Sequence, residues 1–237
     1  MSSKSIKRVQ EALKAKGYDP GEADGIWGRQ SIAALRKFQA ATGLEVDGIF
    51  GPLSRAKLLG ADAPEPAADD PEGLVWFEQA LSLVGTKEKP GPGNSNPVIL
   101  GFAKGLNIDY KDDDIPWCGL FVAHCIGATL PEEPLPRGPL WARGWLGFGK
   151  KTDPRLGAVL VFWRGSPKGD QGHVGFYHGE DDDAYHVLGG NQSNMVNKTR
   201  IAKNRLLEAR WPTTAASLHS NTVQTATGDV GLSHNEQ

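Results

Sequence analysis

The sequence predicts an α+β chain in two parts: a small all-α domain of three helices over residues 1–60 and an α+β domain with an antiparallel sheet over 74–213. Three observations carry this. "DGIWGRQSIAAL" (24–35) and "DGIFGPLSRAKL" (47–58) repeat 23 residues apart, each an Asp-Gly turn, an apolar-aromatic pair, a glycine and a helix-compatible run. Apolar residues recur at helical spacing through the first sixty residues and again in "LVWFEQALSLVG" and "GLFVAHCIGATL". After these, "GAVLVFWRG", "GHVGFYHGE" and "DAYHVLGGN" are short, β-branched and aromatic, and bounded by Gly and Asp turns, as strands are. Helices followed by antiparallel strands define the α+β class.

In the first part, Ile6, Val9 and Leu13, then Ile32, Leu35 and Phe38, lie one helical turn apart, and glycine-marked turns separate three short helices. Trp27 and Phe50 follow Asp-Gly at matching positions and are expected to plug the core, since aromatics chiefly supply buried area. Residues 5–59, with their paired turns and the "ALRKFQ" helix, resemble the three-helix peptidoglycan-binding domain attached to many cell-wall hydrolases. That resemblance implies a wall-anchoring module and bacterial peptidoglycan as the partner. "ADAPEPAADDPEG" (61–73) reads as a semi-extended linker, and residues 214–237, polar and small, read as a flexible tail.

Bulk properties narrow the function classes. A formal net charge of −2 gives no counterion-release advantage on nucleic acid or an anionic membrane, so neither is expected as a partner. No apolar run reaches membrane-spanning length, and the charged start lacks the apolar core of a signal peptide. The expectation is a monomer made in the bacterial cytoplasm. Its two cysteines, Cys118 and Cys125, are expected as free thiols.

Cys118 stands straight after Pro116-Trp117 and heads an apolar, helix-compatible run. Proline disfavours helix before it, which puts the thiol in the first helical turn, where unpaired N–H groups and the positive end of the dipole favour a thiolate. Cys125, seven residues on, reads as a small buried residue. A thiolate needs a base, and His173, near the start of a strand and after a glycine, is the candidate. If the following hairpin turns near Asp181 and Asp182, His173 faces residues 189–191, which makes Asn191 the group that orients the imidazole. His186, about four residues further along, is held as the reserve.

"PWCGLFVAHC", "LGAVLVFWRG", "GHVGFYHGE" and "VLGGNQ", in that order, resemble the papain-like wall hydrolases of the CHAP and NlpC type over residues 74–212. The resemblance implies a papain-like fold, a helix-borne nucleophile at Cys118, a strand-borne His173 and a polar third residue, matched by Asn191 to the CHAP-like asparagine. Many NlpC-type members carry a histidine as the third residue, close to His186. Position 189, where many CHAP members have an acid, is glycine.

Cys118, His124 and Cys125 make a poor zinc set, because the cysteines stand nearly two turns apart on one helix and no Cys-x-x-Cys pair is present. No cofactor is expected: acidic runs at Asp112–Asp114 and Asp181–Asp183 could hold calcium, but such runs at turns are mostly just solvated. The expected function is an endolysin-type peptidoglycan hydrolase, an N-acetylmuramoyl-L-alanine amidase with a cysteine nucleophile. A stem or cross-bridge endopeptidase and a non-catalytic wall-binding protein are the alternatives. Trp141 and Trp145 are candidates for lining the cleft.

Overall fold

Two buried glutamines organise the N-terminal helices α1 (Ser3–Ala15), α2 (Arg29–Thr42) and α3 (Pro52–Leu59). Gln10 Oε1 accepts from Gly25 N–H (2.9 Å) while its amide nitrogen donates to Ser31 Oγ (3.1 Å). Gln39 repeats the arrangement, accepting from Gly48 N–H (2.8 Å) and donating to Ser54 Oγ (3.2 Å). Each glutamine thus satisfies the backbone of one Asp-Gly turn and ties it to the following helix. Around these ties Ile6, Val9, Leu13, Ile32, Leu35 and Phe38 are buried, and the rings of Trp27 and Phe50 lie 6.2 Å apart, both fully buried.

The computed structural model describes residues 3–25, 27, 29–46, 48, 50, 52–60, 74–91, 93–215 and 233. The expected linker at 61–73 lies outside the described residues, as does the expected tail except for Thr214, Ala215 and Ser233. The chain forms two compact units, residues 1–82 and 83–237, and α4 (Val75–Ser82) falls with the first.

The second unit is mixed α and β. It holds α5 (Pro97–Lys104) and α6 (Cys118–Thr129), then β1 (Lys150–Thr152), β2 (Val159–Trp163), β3 (Gly172–Glu180), β4 (Ala184–Gly189), β5 (Asn197–Ala202) and β6 (Leu206–Trp211). The strands form one antiparallel sheet in the order β1-β6-β2-β3-β4-β5. Asn96 caps α5 by accepting from Val98 N–H (2.9 Å), with Pro97 in the first turn, where its missing N–H costs nothing. α6 is apolar on nearly every side and almost wholly buried, as a helix enclosed by the core must be. Its Phe121 ring meets Phe102 of α5 at 6.4 Å and Phe176 of β3 at 6.1 Å. These contacts hold the start of α6 over the sheet.

At the chain's other end, the buried carboxylate of Glu133 accepts from the N–H and hydroxyl groups of both Thr213 and Thr214. Ala215, just beyond these threonines, is buried.

Truncating Gln39 removes the acceptor for a buried N–H. Gln39→Ala is expected to destabilise the first unit by about 1–3 kcal/mol, while Lys37→Ala, exposed on the same helix, stays within about 0.5 kcal/mol. Hydrogen exchange at the α2 amides during denaturant titration checks this, and equal protection in both variants contradicts it.

Candidate active site

Cys118 is the first residue of α6, with Trp117 at the N-cap. Its thiol lies against the backbone N–H of Val174, the residue that follows His173 in β3, so the helix start that carries Cys118 sits beside the strand that carries the candidate base. Burial dominates the electrostatics and pushes the thiol above its ordinary range. The N–H groups of Val174 and of the first helical turn, with the Arg164 guanidinium, pull in the opposite direction. Cys125 is fully buried, and burial holds its thiol well above the ordinary value with only its own backbone to oppose.

His173 is 1 % exposed, and its Nε2 meets Gln192 Oε1 at 3.0 Å. The orientation of that amide follows from its other contacts: Gln192 Nε2 donates to Asn197 O (2.7 Å), Asn197 Oδ1 (2.9 Å) and Val187 O (3.2 Å). Three acceptors fix the nitrogen, so the oxygen faces the imidazole and His173 Nε2 carries the proton. In the neutral ring Nδ1 is then the basic nitrogen. Asn197 returns the tie by donating to Gln192 O (3.0 Å), and Thr199 donates to Asn197 Oδ1 (2.9 Å). Gly189 is required beside this contact, since a Cβ there would stand 2.7 Å from Gln192 Oε1 and 3.2 Å from His173 Nε2.

Asn191, expected to orient the imidazole, is placed elsewhere. With its amide nitrogen toward Glu88 it donates to Glu88 Oε1 (3.0 Å) and accepts at Oδ1 from Trp117 N–H (3.3 Å). Trp117 Nε1 donates to the same Glu88 oxygen (2.6 Å). The cause is local. β4 ends at Gly189, and Asn191 adopts φ 57°, in the left-handed region, which takes its side chain off strand parity. Ser193 and Asn194 are left-handed too, and the turn they form closes with Gln192 N–H donating to Met195 O (3.0 Å). That pattern is a type I′ hairpin turn, which brings Gln192 back to the imidazole. Burial pushes the Glu88 carboxyl up, with Asp113 and Asp114 adding to the rise and the Trp117 bond opposing it.

The reserve residue is also elsewhere. A bulge at His178 shifts the β3–β4 register, so His186 pairs with Gly179, six residues along β3 from His173 rather than about four. At ~3.4 Å per residue that is roughly 20 Å. His186 instead meets Asp181 Oδ2 (2.6 Å), a carboxylate also held by Arg200 Nε (2.7 Å). His178 is pushed down to about 4, first by burial and then by Lys198 and His186, and is neutral at neutral pH.

Of the residues weighed for metals, His124 stacks on Phe102 (4.4 Å, 23°). Carboxylate oxygens of Asp112, Asp113 and Asp114 lie within 4.8 Å of one another. Several are engaged by the chain itself: Ser95 Oγ donates to Asp112 Oδ1 (3.2 Å), and the N–H groups of Asn96 (2.6 Å) and Lys89 (3.4 Å) donate to Asp113 Oδ2. Trp141 is 55 % exposed, and Trp145 is buried with its indole donating to Pro139 O (3.0 Å).

Residues 2–58 match the family model described as "Putative peptidoglycan binding domain". Over a similar span the chain is 43 % identical to an uncharacterized protein of Kitasatospora aureofaciens, covering 24 % of this chain and 49 % of that one. It is 37 % identical to a spore cortex-lytic enzyme of Bacillus cereus (25 % and 23 %) and 36 % identical to an N-acetylmuramoyl-L-alanine amidase of Bacillus licheniformis (24 % and 18 %). The chain thus spans at most about half the length of these relatives, and the matches fall on the N-terminal domain. No solved structure matches.

The raised thiol gives a pH expectation with a definite sign. Alkylation of native protein by iodoacetamide should modify Cys118 and spare Cys125, and its rate should still be climbing with pH above the ordinary thiol value of ~8.5. Peptide mass spectrometry across pH 5–10 reads this. A rate that levels off below pH 7 would mean that His173 already holds the proton at rest.

Proposed function

We propose that the chain is a peptidoglycan hydrolase in which residues 2–58 hold the wall and the second unit, of papain-like type, cuts an amide of the peptide stem with Cys118 as nucleophile. The wall-hydrolase part is supported by the N-terminal match and by the printed activities of the relatives that share it. The cysteine mechanism rests on one observation, an imidazole fixed through Nε2 by Gln192 on the residue next to the backbone N–H that meets the thiol.

The chemistry follows from those positions. His173 Nδ1 takes the thiol proton as sulfur attacks the amide carbonyl, so the buried thiol is ionised only as the bond forms. N–H groups at the start of α6 face the developing oxyanion. The tetrahedral adduct expels the amine, which receives the proton from His173 and leaves a thioester. Water attacks that thioester with His173 again accepting a proton, and the thiol is restored with a free carboxylate as product. Gln192 takes the orienting role that the sequence assigned to Asn191, while Asn191 ties Trp117 to Glu88. The bond proposed is that between N-acetylmuramic acid and L-alanine, and an endopeptidase cut within the stem is the alternative.

Mass spectrometry of fragments released from purified peptidoglycan tests this, with Cys118→Ala as control. Free stems with an L-alanine amino terminus mean an amidase, and cleaved stems still on muramic acid mean an endopeptidase. Absence of Cys118-dependent fragments, with sedimentation on wall retained, means a binding protein.

The third residue is tested separately. Gln192→Ala is expected to lower kcat/KM about 10- to 100-fold, whereas His186→Ala changes it less than about 3-fold. The opposite ranking would return the role to His186.

A further inference from the structure

Arg164 follows β2, with its N–H donating to Gln171 O (3.1 Å) across the ladder in which Phe162 faces His173. It is half-buried and stands one residue beyond Trp163, which pairs with Gly172 next to His173, and from there its charge favours the Cys118 thiolate. Among the described residues its side chain makes neither ion pair nor hydrogen bond, while other arginines of the sheet are committed. Arg200 holds Asp181, Arg205 donates to Trp163 O, and Arg210 to Phe148 O.

The loop that begins at Arg164 is also pinned from outside. Arg143 donates to the carbonyls of Ser166 (2.8 Å), Pro167 (3.1 Å) and Gln171 (2.8 Å), and Trp141 Nε1 donates to Asp170 O (3.1 Å). An arginine on a braced loop, beside the nucleophile and without an acid, keeps its fork of donors for a planar anion from outside. A peptidoglycan stem offers one: D-glutamate is linked through its γ-carboxyl, which leaves its α-carboxylate free in mid-stem.

We propose that Arg164 is the carboxylate subsite of the active site and binds the free α-carboxylate of the stem D-glutamate. This rests on the hydrolase reading for the identity of the ligand. It predicts discrimination against walls in which that carboxyl is amidated, because an amide keeps the shape, loses the charge and turns a donor toward the guanidinium.

Full-length Cys118→Ala, which cannot turn over by the proposed route, is titrated calorimetrically with muramoyl tetrapeptide carrying either the free or the amidated D-glutamate carboxyl. The free acid is expected to bind roughly 10-fold tighter or more, and Cys118→Ala/Arg164→Gln to bind both forms equally. Equal affinity in Cys118→Ala, no measurable binding of either peptide, or a preference that survives Arg164→Gln overturns the subsite. Because the readout is binding, it stands apart from fragment release: a preference intact without release sinks the hydrolase reading and leaves the subsite.

Discussion

One carboxylate oxygen, Glu88 Oε1, joins the three segments on which the candidate site is built. It accepts from the indole of Trp117, directly before Cys118, the proposed nucleophile, and from the amide of Asn191, directly before the residue that holds the imidazole. The segment carrying Glu88 is itself paired, with Glu88 N–H donating to Asn194 O (2.9 Å) and Val196 N–H donating to Thr86 O (2.8 Å). The helix that carries sulfur and the turn that carries Gln192 are therefore referenced to the same point. That matters because a Cys-His pair works only when both groups hold their geometry to within a fraction of an ångström. The cost is a carboxylate taken partly out of water among other acids, which explains why its own ionisation is disfavoured.

The same constraint accounts for backbone conformations that would otherwise be wasteful. Asn191, Ser193 and Asn194 occupy left-handed φ values, which suit a residue without Cβ and which asparagine tolerates best among the others. Such a turn persists only where the surroundings over-determine it. Here they do: Asn191 is held by Glu88 and Trp117, and Gln192 by Val187 and Asn197. A wider loop would relieve the backbone and release the amide from His173.

The sequence carried the α+β order, the duplicated turns, the buried apolar faces of the N-terminal helices and the placing of Cys118 at the start of a helix, because each is a local pattern of spacing and turn residues. Strand register was legible in part. The β3–β4 pairing near the site runs Phe176 to Leu188 and Tyr177 to Val187, which extrapolates His173 toward residue 191, as expected. What failed was carrying strand parity past the end of the ladder, so Asn191 was chosen although its neighbour does the bonding. The bulge at His178 was equally invisible, and it moved His186 further from the site. Gln10 and Gln39 were missed because a glutamine in a helix reads as surface until the glycine N–H it must satisfy is known. Their offsets to that N–H differ because the first loop is longer, so the two glutamines do not share the period of the turns they serve.

His186 and His173, both on the β3–β4 hairpin, meet partners of different charge. His186 sits on Asp181, whose carboxyl Arg200 and His186 hold well below the usual carboxylate range, so a full negative charge stands at 2.6 Å from the ring. Through that carboxylate the ring is tied to Arg200 of β5 as well as to the hairpin turn. His173 has a neutral amide oxygen instead. It fixes the ring's direction and tautomer and leaves the lone pair on Nδ1. A carboxylate at position 192 would lose the donors that Val187 O and Asn197 O take up, and the geometry with them. Glutamine orients this imidazole because one side chain offers an acceptor to the ring and donors to the carbonyls behind it.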